Sequence, residues 1–211
     1  MYVVDRDFGF APNPFHGVCT LATCKPKIRG SARVGDWVIG MGGSKLNATG
    51  RCVFAMKVTG TTSFNKYWSH PDYFEKRPVR NGSRKMMVGD NIYHRPSPDQ
   101  PWHQADSHHS RPDGSSDPDN VKRDTSADSV LLSRHFFYFG RAAPVVPVSL
   151  LEEIGYTNVH GHRVFPLDRC EDLISWLESN FADNLNMVSG RPFQFDRSSA
   201  RFSLKSNSIL C

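Results

Sequence analysis

A chain of 211 residues with 38% hydrophobic and 11% aromatic residues can bury one substantial core, which excludes wholesale disorder. Its apolar runs are a few residues long against the roughly 20 that cross a bilayer, and the start MYVVDRDFGF has acidic residues and no apolar leader, so a cytoplasmic protein with no membrane partner is expected. The net charge of +5 is unevenly spread: residues 1–94 hold 14 Lys or Arg against 6 Asp or Glu, residues 95–128 hold 4 against 7, and residues 129–211 hold 8 against 8.

In chain order, YVV (2–4) suits an opening strand. DFGFAPNPFHGVCTLATCKPKIR (7–29) follows, with neither strand alternation nor helical period. Gly35-Asp36 makes a turn before the apolar WVIG, and RCVFAMKVTG (51–60) is the clearest strand, with Cys52, Phe54, Met56 and Val58 alternating. FNKYWSHPDYF (64–74) reads as a loop or short helix bordering a pocket. Val88-Gly89-Asp90 repeats the device of Val34-Gly35-Asp36, a turn launching a strand.

Residues 95–128 are almost devoid of apolar side chains apart from Trp102 and Val121. Such a stretch has little burial to offset its ordering entropy, so a mobile segment, or a flap ordered by a partner, is expected. Leu131 to Phe139 reads as a largely buried strand ended by Gly140. Ser149 and Glu152 have capping-box spacing. From Asp168, Cys170, Leu173, Ile174, Leu177 and Phe181 fall on one helical face. The tail from Asp183 is polar and irregular, so the domain is drawn at 1–180 with a tail at 181–211. Strands without βαβ alternation predict an α+β fold around a small, curved or barrel-like, mostly antiparallel sheet with a few helices and a long polar insertion.

Five scattered cysteines read as reduced thiols, and no C-x-x-C pair or spaced histidine motif points to a metal, so none is assigned; no cofactor is implied. Cys19 and Cys24 are the candidate nucleophiles, Cys24 beside Lys25, which would lower a thiol pKa; ordinary buried cysteines are the alternative. Asp36 and Asp90 are accounted for as turn residues, which leaves Asp7 without an evident structural role. Binding has more support. Trp68 and Tyr93 are placed to stack on a base, and the dense basic run KRPVRNGSRK (76–85), with Arg77, Arg80, Arg84 and Lys85, is placed to hold phosphate. In the opening segment Pro12 and Pro14 stiffen a loop, Asn13 and Thr20 offer groups that read a base edge, and Lys25 and Arg29 take phosphate. Gly9 and Gly17 let backbone approach a ligand. The segment reads as one wall of a pocket, the alternative being an irregular structural wrap.

DFGFAPNPFHGVCTLATCKPKIR followed by GDWVIGMGG resembles the nucleotide modification associated domain 2 family, along the chain to about residue 180. The resemblance implies a role connected with modified nucleotides, in DNA modification or phage–host conflict. A weaker likeness to PUA-like readers of the EVE and ASCH groups rests on the G-D turn before an apolar strand and implies a modified base in an aromatic pocket. The expectation is a domain that binds a nucleotide or modified base in nucleic acid. The alternatives are an enzyme acting on such a nucleotide, a hydrolase or transferase, and a basic interaction module without a pocket. Two titratable groups facing one another in the pocket would favour the enzyme.

Overall fold

A computed structural model of the chain describes residues 1–159 and 161–210, so His160 and Cys211 lie outside the described residues. The strands are β1 (Tyr2–Val4), β2 (Cys19–Leu21), β3 (Trp37–Gly42), β4 (Cys52–Lys57), β5 (Gly60–Thr62), β6 (Tyr93–His94), β7 (His103–Gln104), β8 (Val130–Ser133), β9 (Phe136–Tyr138), β10 (Met187–Val188), β11 (Arg201–Ser203) and β12 (Ser208–Leu210). The α-helices are α1 (Pro26–Ser31), α2 (Phe64–Ser69), α3 (Arg84–Met87), α4 (Pro118–Asp124), α5 (Val148–Ile154) and α6 (Glu171–Asn180). The fold is α+β, built from several small sheets.

The largest sheet has the order β1-β3-β4-β9-β10, with β1/β3 and β9/β10 parallel and the two inner pairs antiparallel. Its outer strands are only three and two residues long and do not pair with each other, so no closed barrel forms among the described residues. This mixed, open sheet replaces the expected barrel-like one. Strand β4 is the spine. Cys52, Phe54 and Met56 alternate with Val53 and Ala55, and all five are buried, so both faces of the strand are covered rather than one. Phe54 lies across Gly40 of β3 so closely that a Cβ there would stand 2.1 Å from the ring. Cys170, Leu173 and Leu177 pack into the same core at the start of α6 and along it, the face that the 3.6-residue period predicts.

A second sheet, β2-β8-β5, is antiparallel and joins this core to a second cluster around Phe8, Phe10, Phe64, Tyr67 and Tyr93. The expected strand Leu131–Phe139 is two strands, β8 and β9, broken at Arg134 and His135, each serving a different sheet. The capping box at Ser149 does not form: Pro147 occupies the N-cap of α5, and no side chain caps it.

The polar segment is the main correction. Ser107, His108, His109, Ser110, Asn120 and Asp124 are all buried, and Asp117 caps α4 by accepting from the Asp119 and Asn120 amides, with Pro118 in the first turn. Burial here is satisfied by hydrogen bonds rather than apolar contact. Asn120 donates to the carbonyls of His109 and Phe202, and Arg201 of β11 pairs with Asp106 and bonds Ser107 and Ser110. The tail is likewise part of the fold, since Phe202 is buried and its amide donates to the His108 carbonyl at 2.7 Å.

Candidate active site

Strand β2 runs through Ala22 and Thr23 into Cys24, and α1 begins two residues later. Cys24 and Lys25 both have left-handed backbone, with φ of 55° and 41°. Two consecutive non-glycine residues in that region cost on the order of 1–3 kcal/mol each, and such strain concentrates where a side chain must be presented. The strand–turn–helix context resembles that of a presented nucleophile.

Two groups from the polar segment meet this cysteine. His109 Nε2 stands 3.5 Å from Cys24 Sγ, and His109 Nδ1 stands 2.7 Å from Asp124 Oδ2. Asp124 receives four donors: the Cys24 amide and Arg123 Nε on Oδ1, and His109 and the Tyr93 hydroxyl on Oδ2. Burial alone would raise the Asp124 carboxyl. The neighbouring His109 imidazolium and the Arg123 and Arg29 guanidiniums outweigh it and hold the group well below the usual carboxylate range. Burial pulls His109 down, but Asp124 and Cys24 raise it to about 9. Burial pushes the Cys24 thiol up, and His109 and Arg123 more than reverse this, leaving it below its ordinary value. The three groups therefore favour a thiolate–imidazolium pair held by a carboxylate.

Arg29 fixes the two halves of this arrangement. Its guanidinium is buried and donates to the carbonyls of Cys24 (2.9 Å), Ala127 (2.7 Å), Ser129 (2.5 Å) and Asp124. Tyr93, which accepts from Gln104 at 3.0 Å, orients Asp124 from the other side. Arg29 and Tyr93 thus lie behind the cysteine rather than on a ligand.

A cavity of about 510 Å³ opens in front of Cys24, lined among others by Tyr2, Phe8, Phe10, His108, His109 and Phe202, with Arg6, Lys25, Lys27 and Arg123 at its polar edges. The opening segment supplies one wall and the C-terminal hairpin β11–β12 another. Of the residues read from sequence as ligand-binding, Cys24 and Lys25 line this cavity.

Asp7, Asn13 and Thr20 do not. Asp7 is buried and accepts from the Tyr138 hydroxyl, the Gly9 amide and the Phe193 amide at 3.0 Å, which is the structural role it lacked. Gly9, at φ +74°, has its backbone against Pro192 and Phe15 of the same chain, so its close approach is internal. Asn13 donates to the Val88 carbonyl and accepts from Lys76. Thr20 and Tyr67 both donate to Asp90, whose carboxyl is buried and pushed up to about 6 by that burial, so Asp90 is more than a turn residue. Trp68 is sandwiched between the Arg77 guanidinium and the His94 ring, each 4.1 Å from its centroid, so both faces are occupied.

The basic run 76–85 is likewise mostly engaged by the chain's own groups. Lys76 is fully buried, Arg77 bonds the Trp68 carbonyl, Arg80 bonds the carbonyls of Met87, Ser198 and Ser199, and Arg84 pairs with Asp196 at 2.8 Å. Lys85 alone of the predicted phosphate-binding residues is exposed and without an ion pair among the described residues.

Donor atoms of Cys24, His109 and Asp124 lie within 4.8 Å of one another, close enough for three metal ligands. Both oxygens of this carboxylate already accept two donors each, His109 among them, and the Arg123 guanidinium lies beside it, so the set suits proton transfer better than a cation. What sequence reasoning missed is the partnership of His109 and Asp124 with Cys24; the signal available was the His-His pair inside an otherwise featureless polar run.

The site thus joins a strained cysteine to a buried imidazole–carboxylate pair at the floor of an aromatic, cationic cleft in an α+β fold. Residues 1–199 match the family model described as nucleotide modification associated domain 2, and the chain belongs to that family, which connects it with nucleotide modification. No curated protein and no solved structure matches the chain. No helix among the described residues is long and apolar enough to cross a membrane.

Proposed function

We propose that the protein is a cysteine-dependent enzyme acting on a nucleotide or modified base, with an acyl-type carbon as the electrophile and DNA modification as its setting. The observation that carries this reading is the relay Cys24 Sγ–His109 Nε2 (3.5 Å), His109 Nδ1–Asp124 Oδ2 (2.7 Å). A domain that only reads a base has no use for a thiol whose proton is already drawn to an imidazole. Family membership supports the nucleotide part of the reading.

The Cys24 proton resides on His109 Nε2. The thiolate adds to the substrate carbonyl carbon, forming a C–S bond as the C=O π pair moves to oxygen. Arg123 Nη2, 3.8 Å from the sulfur, places positive charge beside that oxyanion. Collapse restores the carbonyl and expels the leaving nitrogen or oxygen, which takes the proton from His109. Water then gives a proton to Nε2 and adds to the thioester, and collapse breaks the C–S bond to release the acid and the thiolate. Asp124 keeps Nδ1 protonated throughout, as the orienting group of such relays does.

The test is mass spectrometry of the intact protein and of products after incubation with a panel of nucleotides carrying amide- or ester-linked substituents on the base. Turnover by the wild type, a mass adduct on the Cys24 peptide, and loss of both in Cys24→Ser are expected. Turnover that survives Cys24→Ser, or a panel that yields neither product nor adduct, overturns the proposal. A second expected result needs no substrate. Iodoacetamide should label Cys24 at neutral pH well before Cys19 and Cys52, because burial pushes those two thiols up to about 12.

A further inference from the structure

The cations of the molecule divide into two groups. Those of the basic run 76–85 are mostly engaged by carbonyls, rings or Asp196, as described above. Those of the cavity keep donors free: Lys25 and Lys27 make no ion pair or side-chain hydrogen bond among the described residues. Arg6 bonds only the carbonyl and side chain of Asn207, at 2.8 and 3.3 Å. Arg123 uses Nε and Nη2 on Asp124, Asn120 and Cys24, and no hydrogen bond engages its Nη1 among the described residues. Four cations thus face a cavity whose lining includes one carboxylate, Asp5.

Three of the four lie against aromatic rings. Arg6 and Arg123 lie over the Phe202 ring at 4.9 and 5.7 Å, and Lys25 Nζ lies 4.4 Å from the centre of the Tyr2 ring. Partial burial pulls Lys25 below its ordinary value, so an unneutralised ammonium here is costly and an anion would relieve it. The thiolate, the imidazolium and the Asp124 carboxylate together carry one negative charge, which the buried Arg29 guanidinium offsets, so a cationic excess remains at the cavity. Aromatic walls beside the cations offer a base a face to stack on, and about 510 Å³ falls in the range that takes one small ligand.

From this we infer that the site takes a free, phosphorylated nucleotide, its phosphate held by Arg123, Lys25 and Arg6, rather than a bare base, a nucleoside or a base within a polymer. A polymer needs cations tracking a backbone outside the pocket, and in the run that sequence suggested for that purpose Lys85 alone is exposed without an ion pair among the described residues. The inference rests on the proposed function for what happens next to Cys24, but not for the phosphate contact itself.

Calorimetry on the catalytically disabled Cys24→Ser chain separates the two. The probes are inorganic phosphate, deoxycytidine 5′-monophosphate, deoxycytidine, and an unphosphorylated single-stranded oligonucleotide. The monophosphate should bind at least 10-fold more tightly than the nucleoside and the oligonucleotide, with inorganic phosphate competing. Arg123→Gln and Lys25→Gln, each added to Cys24→Ser, should weaken the monophosphate about 10-fold and leave the nucleoside unchanged, whereas Lys45→Gln, outside the cavity, should change neither. Equal affinity for nucleoside and monophosphate, or tighter binding of the oligonucleotide, overturns the inference even if Cys24 proves catalytic. Charge-dependent monophosphate binding with no turnover by the wild type upholds it and removes only the proposed chemistry.

Discussion

Asp124→Asn should slow alkylation of Cys24 by iodoacetamide at pH 7 by about 10- to 100-fold, with the pH–rate curve moving up toward an ordinary thiol near 8.5. The amide can still accept from the Cys24 amide and Arg123, so the shape of the site survives. What changes is the face toward His109. An amide nitrogen there donates where the carboxylate accepted, so Nδ1 must give up its proton and Nε2 becomes a donor toward the sulfur instead of a base. His109, raised to about 9 mainly by Asp124 and Cys24 against the pull of burial, then falls, and the charge that lowered the thiol falls with it.

The sign with pH follows from the same two groups. In the wild type the reactive ion pair exists between the lowered thiol pKa and about 9, above which His109 loses its proton. A turnover profile should therefore rise on its acid limb as Cys24 ionises and fall through about 9 as the general acid is lost. For turnover the loss in Asp124→Asn should approach about 10⁴-fold, the scale seen when an orienting carboxylate is replaced in a relay of this kind. An alkylation rate unchanged in Asp124→Asn would mean the carboxylate only supports the fold. Near-ultraviolet circular dichroism of the variant guards against misreading an unfolded chain.

The sequence showed what periodicity can show. The alternation of Cys52 to Val58 and the 3.6-residue spacing from Cys170 to Leu177 mark buried faces because apolar side chains report burial directly. Cys24 stood out for its neighbour Lys25, yet the groups that lower its pKa are His109 and Arg123, roughly 85 and 99 residues away. Residues 95–128 fold although they hold few apolar side chains, so apolar content is a poor guide to order here. Ser107, Ser110 and Asn120 are buried all the same, since each is saturated by hydrogen bonds, and a saturated polar group can be buried at little cost. Nothing local distinguishes such a segment from a disordered one. The cue it does hold is Asp117-Pro118, the N-cap and first turn of α4. Charge counting failed for a related reason: a Lys or Arg in sequence carries no mark of whether it faces solvent, as Lys76 shows.

Lys76→Met should destabilise the protein by about 3–5 kcal/mol, the scale for breaking a buried charged network by removing one partner. The ammonium donates to the Asn13 carbonyl at 3.0 Å, the Asn13 side chain at 2.8 Å and the Val18 carbonyl at 2.6 Å. A thioether of similar length fills the space but makes none of these bonds. The Asn13 carbonyl keeps the Thr20 amide, whereas the Val18 carbonyl has no other partner among the described residues. Asp90, whose charge Lys76 helps to hold against burial, is pushed further toward its protonated form. For a chain of this length the melting temperature should fall by roughly 10 °C. The pH dependence supplies the sign. Burial lowers Lys76 from 10.5 to about 8 in the fold, so its contribution is full above the unfolded value and is lost as pH falls through about 8. Between pH 8 and 9 the buried thiols contribute equally to both proteins, so wild-type stability should gain relative to that of Lys76→Met, and the gap between the two should widen with pH. Urea melts of both proteins at pH 7, 8 and 9 measure it. A gap of under about 1 kcal/mol at every pH would show that Asn13, Val18 and Asp90 do not depend on the Lys76 side chain. Because this network links the opening segment to the turn at Asp90 without lining the cavity, iodoacetamide labelling of Cys24 in the folded variant should proceed at the wild-type rate.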